Sequence, residues 1–95
     1  MKKLEKTFKS RGFIHEQVTR SGRLAIYKRY PAKNKAQDHH YEVIKIGKHN
    51  GYNLGGSYIT PAETYPSTSM WGRAGWTCTS LEVAEKQLND LEKYE

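Results

Sequence analysis

His39, His40 and His49 have the side chains to hold a metal ion, yet their placement argues against it. Adjacent histidines on a strand point to opposite sides, and no cysteine or carboxylate stands at a ligand spacing from them. Asp38, Glu42 and Lys45 are of the types that surround the phosphate in some nucleases. The usual Glu-x-Lys step is missing, because Glu42 and Lys45 are three positions apart and fall on opposite faces of a strand. Gly47, Gly51, Gly55 and Gly56 could free backbone amides to cradle an anion, but the Lys-Ser or Lys-Thr and the helix that complete a phosphate loop do not follow. Cys78, the one cysteine, lies near Trp76 and reads as a small buried hydrophobe. No catalytic residue, cofactor or metal site is expected. His15 reads as a solvated strand residue.

One constellation remains. Arg23, Lys28, Arg29, Lys33 and Lys35 interleave with Tyr27, Tyr30 and Tyr41, and such a mixture suits nucleic acid: cations neutralise phosphates while aromatic faces stack on unpaired bases. Tyr52 and Tyr58, beside the glycines, add a further contact surface. The charge distribution agrees with this. Of a net charge of +6, residues 1 to 50 hold 13 Lys or Arg against 4 acids, while residues 51 to 95 hold 3 against 6. A basic front half raises encounter with polyanions or with an acidic protein face.

These residues must be positioned by a single small domain, since 95 residues supply one modest core. No window approaches the roughly 18 consecutive apolar residues of a membrane span, and MKKLEKTFKS has the charges of a signal peptide without its apolar middle. A soluble, cytosolic protein that does not engage membrane is expected. The organising stretch is Gly22 to Gly47, in which RLAIYKRY and YEVIKI flank a polar connection and carry the β-branched and aromatic residues of a half-buried pleated surface.

Before it, residues 1–11 place Leu4 and Phe8 at helical spacing and predict a short basic helix or a basic arm closed by Gly12. FIHEQVTR then pairs with RLAIYKRY through a tight Ser21-Gly22 turn, a register that sets Arg20 against Arg23 unless the pairing shifts. Between the second and third strands two registers compete. Arg29 opposite Glu42 puts Ala25, Tyr27, Ile44 and Ile46 on one face; a slip of one residue instead groups Leu24, Ile26, Ile44 and Ile46. Either leaves apolar side chains on both faces, so the sheet needs two covers. One is the helix predicted over residues 79–95, with a capping box from Thr79 to Glu82 and an apolar stripe of Leu81, Ala84, Leu88 and Leu91. The other is residues 47–76, a long ordered loop rich in aromatics. Within it the sequence predicts a short strand near Ser57 to Thr60, a helical turn over Thr68 to Trp71 closed by Gly72, a strand from Gly75 to Cys78, and burial of Trp71 and Trp76.

HYEVIKI followed by AETYPSTSMWGRAGWTCTSLEVAEKQL resembles small uncharacterised accessory proteins of tailed phages, in which a Tyr-Pro-Ser segment, a Trp-Gly, a Gly-Trp-Thr strand and a closing helix follow one another. Tyr65, Pro66, Ser67, Trp71, Gly72, Gly75 and Trp76 carry the likeness. It implies a phage-encoded protein in the bacterial cytoplasm and assigns no active site. The expected fold is α+β: an antiparallel sheet of three or four strands, the C-terminal helix on one face and the aromatic loop on the other. The expected function is non-enzymatic binding of nucleic acid, or of a host complex that handles it, by the basic half. The alternative is an inhibitor that binds an acidic host defence or transcription protein through the loop aromatics.

Overall fold

A computed structural model describes residues 1–35 and 39–94. Asp38, considered above among possible nuclease acids, lies outside them. The strands are β1 (Thr7–Ser10), β2 (Phe13–Ser21), β3 (Leu24–Pro31), β4 (His40–Lys45), β5 (Gly47–His49), β6 (Tyr52–Leu54), β7 (Ser57–Ile59), β8 (Ala62–Thr64) and β9 (Gly75–Cys78). A 3-10 turn at Thr68–Met70 precedes β9, and the helix α1 (Leu81–Glu92) follows it. Five strands form one antiparallel sheet in the order β1-β2-β3-β4-β9, one more than the largest number expected. The α+β class stands.

The first correction concerns the amino-terminal residues, which form a strand where a helix or arm was expected. A helix of two turns is marginal on its own in water. As a strand, β1 gains a ladder to β2, from Thr7↔Glu16 to Ser10↔Phe13, and lays Phe8 flat on His15 with ring centroids 4.7 Å apart. The connecting turn has positive φ at both Arg11 (53°) and Gly12 (83°), the pattern of a type I′ hairpin, and Arg11 accepts a conformation that L side chains avoid.

The β2–β3 turn sits one residue later than expected, on Gly22 and Arg23. Ser21 pairs with Leu24 and Arg20 with Ala25, so the Arg20–Arg23 repulsion never arises. Further along, β2 carries a bulge between Gln17 and Thr19 that leaves Val18 exposed. Between β3 and β4 Tyr27 lies opposite Glu42 and Arg29 opposite His40. That register is displaced by two positions from the Arg29–Glu42 pairing, and a two-residue slip preserves the faces. Ala25, Tyr27, Ile44 and Ile46 therefore share one side, and the alternative grouping with Leu24 and Ile26 is excluded.

Leu24, Ile26 and Val43 face the other way and form a core with Cys78, Ala84 and Leu88, against which Leu81 and Leu91 also pack. The predicted stripe of α1 is thus buried. Its cap is Ser80 instead of Thr79: the Ser80 hydroxyl accepts from the Val83 N–H at 3.2 Å, and Glu82 falls in the positive first turn without closing a box.

Residues 47–64 are not a loop. Every pair from Gly47↔Thr64 through Tyr52↔Ile59 to Leu54↔Ser57 keeps a single register about the Gly55–Gly56 turn, so β5–β8 and β6–β7 are the base and tip of one two-stranded arm. Pro61, which cannot donate to a ladder, stands where the arm is interrupted. Lys2 bridges to Ala62 at the arm's base, the Lys2 carbonyl accepting from the Glu63 N–H at 2.8 Å. The remaining connection, residues 65–74, supplies Tyr65 and Trp71, which pack on the Ala25 and Tyr27 side together with Leu4 and Phe8. Trp71 and Trp76 keep an exposed edge but bury most of their area, as expected. Gly75 lets the Trp71 ring rest on β9, because a Cβ there would come within 2.4 Å of it.

Candidate functional site

Side chains alternate along a strand, and this alternation carries the parity of the second core beyond its apolar end. Beyond Gln17 and Tyr27 the inward positions are Phe13 and His15 of β2 and Arg29 of β3; beyond Ile44 the inward residue is Glu42 of β4. The floor of this face is therefore apolar at one end and ionisable at the other. His15 is 7 % and Glu42 4 % exposed, so the expectation of a solvated His15 is overturned. The physical reason is β1, whose Phe8 covers the imidazole.

Glu42 organises the floor. One carboxylate oxygen accepts from the Tyr65 hydroxyl at 2.5 Å and lies 3.5 Å from His15 Nε2; the other lies 3.4 Å from an Arg29 guanidinium nitrogen. Burial pushes this carboxyl up, but the hydrogen bonds from His15 and Tyr65 and the Arg29 charge outweigh it and hold the group below its ordinary value. Burial, then the adjacent carboxylate, raises Tyr65 far above its usual range, so that it stays a donor. The Tyr65 ring stands edge-on to Phe8, His15 and Tyr27 with centroids 5.2 to 5.5 Å apart. Arg29 lies over the Phe13 ring at 4.7 Å. Two polar atoms of the floor, His15 Nδ1 and Arg29 Nε, are buried without a hydrogen-bond partner.

Above the floor is an open cleft of about 560 Å³. The β1–β2 hairpin lines it with Phe8, Ser10, Arg11 and Phe13, and the 65–74 connection lines it with Pro66, Ser67, Thr68 and Trp71. Trp71 is fixed by its indole N–H, which donates to the Thr77 hydroxyl at 2.9 Å. The cleft thus holds two guanidinium groups, hydroxyl donors and planar apolar faces around one carboxylate whose charge is already matched. Such a set offers charge-assisted donors to an anion and flat faces to a planar group.

Of the cations singled out from sequence, the structure brings only Arg29 to this cleft. Arg23 sits on the β2–β3 turn, its Nε 3.4 Å from the Ile46 carbonyl. Lys33 and Lys35 follow the opposite end of β3, roughly 25 Å along the strand from Arg23; there the Ala32 N–H donates to the Gly12 carbonyl at 2.9 Å, which places them beside the β1–β2 turn but not in the cleft lining. Lys28 lies between Glu16 and Tyr41 on the helix side of the sheet. Tyr52 and Tyr58 are exposed on the arm's tip, 48 % and 60 %, with Leu54 at 62 % between them. Sequence reading missed Arg11, His15, Glu42 and Tyr65 as a group, although a charge at an inward-facing parity was the available signal for His15 and Glu42.

The chain matches no protein-family model, no curated protein and no solved structure. Among the described residues no helix is long and apolar enough to cross a membrane.

Proposed function

We propose that the protein is a non-enzymatic binding module for nucleic acid, in keeping with the phage accessory role implied by its Tyr65 to Trp76 pattern, and that the cleft is its contact surface. The observation that carries this reading is the meeting of Arg11, Arg29, Phe13 and Trp71 in one open cleft. Guanidinium forks grip phosphate oxygens, and flat aromatic faces stack on bases of any sequence. The lysines and arginines of the outer turns add long-range attraction rather than a second contact site.

Fluorescence anisotropy with single-stranded and duplex DNA and RNA tests it. Binding should be tightest for single strands at low salt and weaken as salt rises. Arg11→Ala, on an exposed turn, should flatten the log–log salt dependence by about 0.7, the share of one phosphate contact. Undetectable binding to all four at low salt would refute the reading.

The second reading, an inhibitor directed at an acidic host protein, is favoured by a different observation: Tyr52, Leu54 and Tyr58 are all exposed at the arm's tip. Exposed aromatics of this kind anchor protein interfaces. A partner retained on the protein from nuclease-treated bacterial lysate and lost with Tyr52→Ala and Tyr58→Ala together would support it.

A further inference from the structure

We propose that the cleft seats a phosphorylated strand end, one terminal nucleotide led by its monoester phosphate, rather than a strand running through it. This rests on the nucleic-acid reading and narrows it.

Size is the first ground. At about 560 Å³ the cleft is of the order that encloses one small ligand, about 300 to 1,000 Å³, whereas grooves that track a strand accommodate about 4 to 16 nucleotides. Its floor is closed by the Glu42, His15 and Tyr65 cluster, and the β1–β2 hairpin and the 65–74 connection rise on either side.

Charge is the second. A phosphate monoester carries about −1.5 to −2 at neutral pH, against −1 for an internal diester. Arg11 at the rim and Arg29 on the floor present two guanidinium groups; Glu42 takes up part of Arg29, 3.4 Å away, and accepts from Tyr65, so the cleft keeps a net positive charge through Arg11. Two forks suit a dianion with three free oxygens better than a diester with two. The hydroxyls of Ser10, Ser67 and Thr68 lie on the same walls, and Phe13 and Trp71 offer flat faces for the attached base.

Two further features show that this region is not arranged for stability alone. His15 Nδ1 and Arg29 Nε are buried and unpartnered, a state native interiors avoid. Arg11 holds φ at 53° where asparagine or glycine would be relaxed, and its side chain lines the cleft from that position.

The test compares four internally labelled single strands of one sequence: 5′-phosphorylated, 3′-phosphorylated, hydroxyl at both ends, and circular. One phosphorylated end should bind about tenfold tighter than the hydroxyl strand. The nucleoside monophosphate of the same polarity should compete, and more strongly than inorganic phosphate. Arg11→Ala, which keeps a Cβ at this turn position, should erase the end preference while leaving the circular dichroism spectrum and melting temperature unchanged. A circle that binds as tightly as the phosphorylated strands overturns the proposal and leaves the nucleic-acid reading standing. So does a mononucleotide that competes no better than inorganic phosphate. If none of the four strands binds, both fall.

Discussion

The two faces of the sheet are made by the same strands and built on opposite principles. Toward α1 the buried cluster is Leu24, Ile26, Val43, Cys78, Ala84 and Leu88, with no ionised group among them; further along the same face the buried Tyr30 donates its hydroxyl to Glu16, which is only half-buried. On the other side Ala25, Tyr27, Ile44 and Ile46 form a similar apolar patch, but one residue pair further along it gives way to His15, Arg29 and Glu42. Removing apolar surface from water stabilises the first face without geometric demands. A buried ion pair does no better than well-packed hydrophobes of equal volume, because desolvation offsets the attraction. The cluster lies under the cleft.

The largest effects should come from unbalancing the ionic face. Glu42→Ala leaves the buried His15 and the half-buried Arg29 without their counter-group and should cost about 3 kcal/mol of unfolding free energy in denaturant titration. Replacing His15, Arg29 and Glu42 together by Leu, Met and Leu should recover most of that loss while abolishing ligand binding. Recovery of binding with the stability would break the contrast between the faces. On the apolar side Ile26→Ala should cost about 2 to 4 kcal/mol through cavity formation and leave the affinity of the folded protein unchanged. Tyr65→Phe, which removes the hydroxyl donated to Glu42, should cost about 1.5 to 3 kcal/mol.

Acid sharpens the comparison from outside the cleft. Two hydrogen bonds from Arg20 and one from the Leu4 N–H hold Glu63 down to about 2 from an ordinary 4.5. Its folded value is the lower one. The stability it contributes is therefore complete above pH 4.5 and is lost as pH falls toward about 2. Glu63→Gln should flatten that limb of the stability profile without altering ligand affinity near neutrality. The smallest effect is Arg11→Asn, which relaxes the left-handed turn and should raise stability by about 0.5 to 1 kcal/mol while lowering affinity.

Much of the scaffold could be read from residue order because its signals are local. The Leu81, Ala84, Leu88, Leu91 stripe is a period of one helix, and the Gly75–Cys78 strand lies between a turn and a cap. The parity of Ala25, Tyr27, Ile44 and Ile46 survived a wrong register because a slip of two changes partners but not faces. What escaped was set between elements. Leu4 and Phe8 fit a helix equally well until β2 is known to be beside them, and the 47–64 arm depends on pairings that span up to seventeen positions. Along its own strand Glu42 has Lys45 for a charged neighbour, whereas its partners His15, Arg29 and Tyr65 arrive from β2, β3 and the 65–74 connection. His15 looked solvated because nothing near it in the chain announces Phe8 and Tyr65 as its covers.

The stitching of the first strand to the base of the arm has a consequence for assembly. β1 can pair with β2 early, but Leu4 is tied to Glu63, Phe8 packs against Tyr65, and Lys2 pairs beside Ala62, so the outer side of the amino-terminal segment is covered only once the chain has extended past its sixty-fifth residue. During synthesis β2, β3 and β4 can pair beforehand, each hairpin closing locally. The cleft is then finished by the most distant contacts, the slowest to form. A nascent chain would thus hold a sheet before it holds a site.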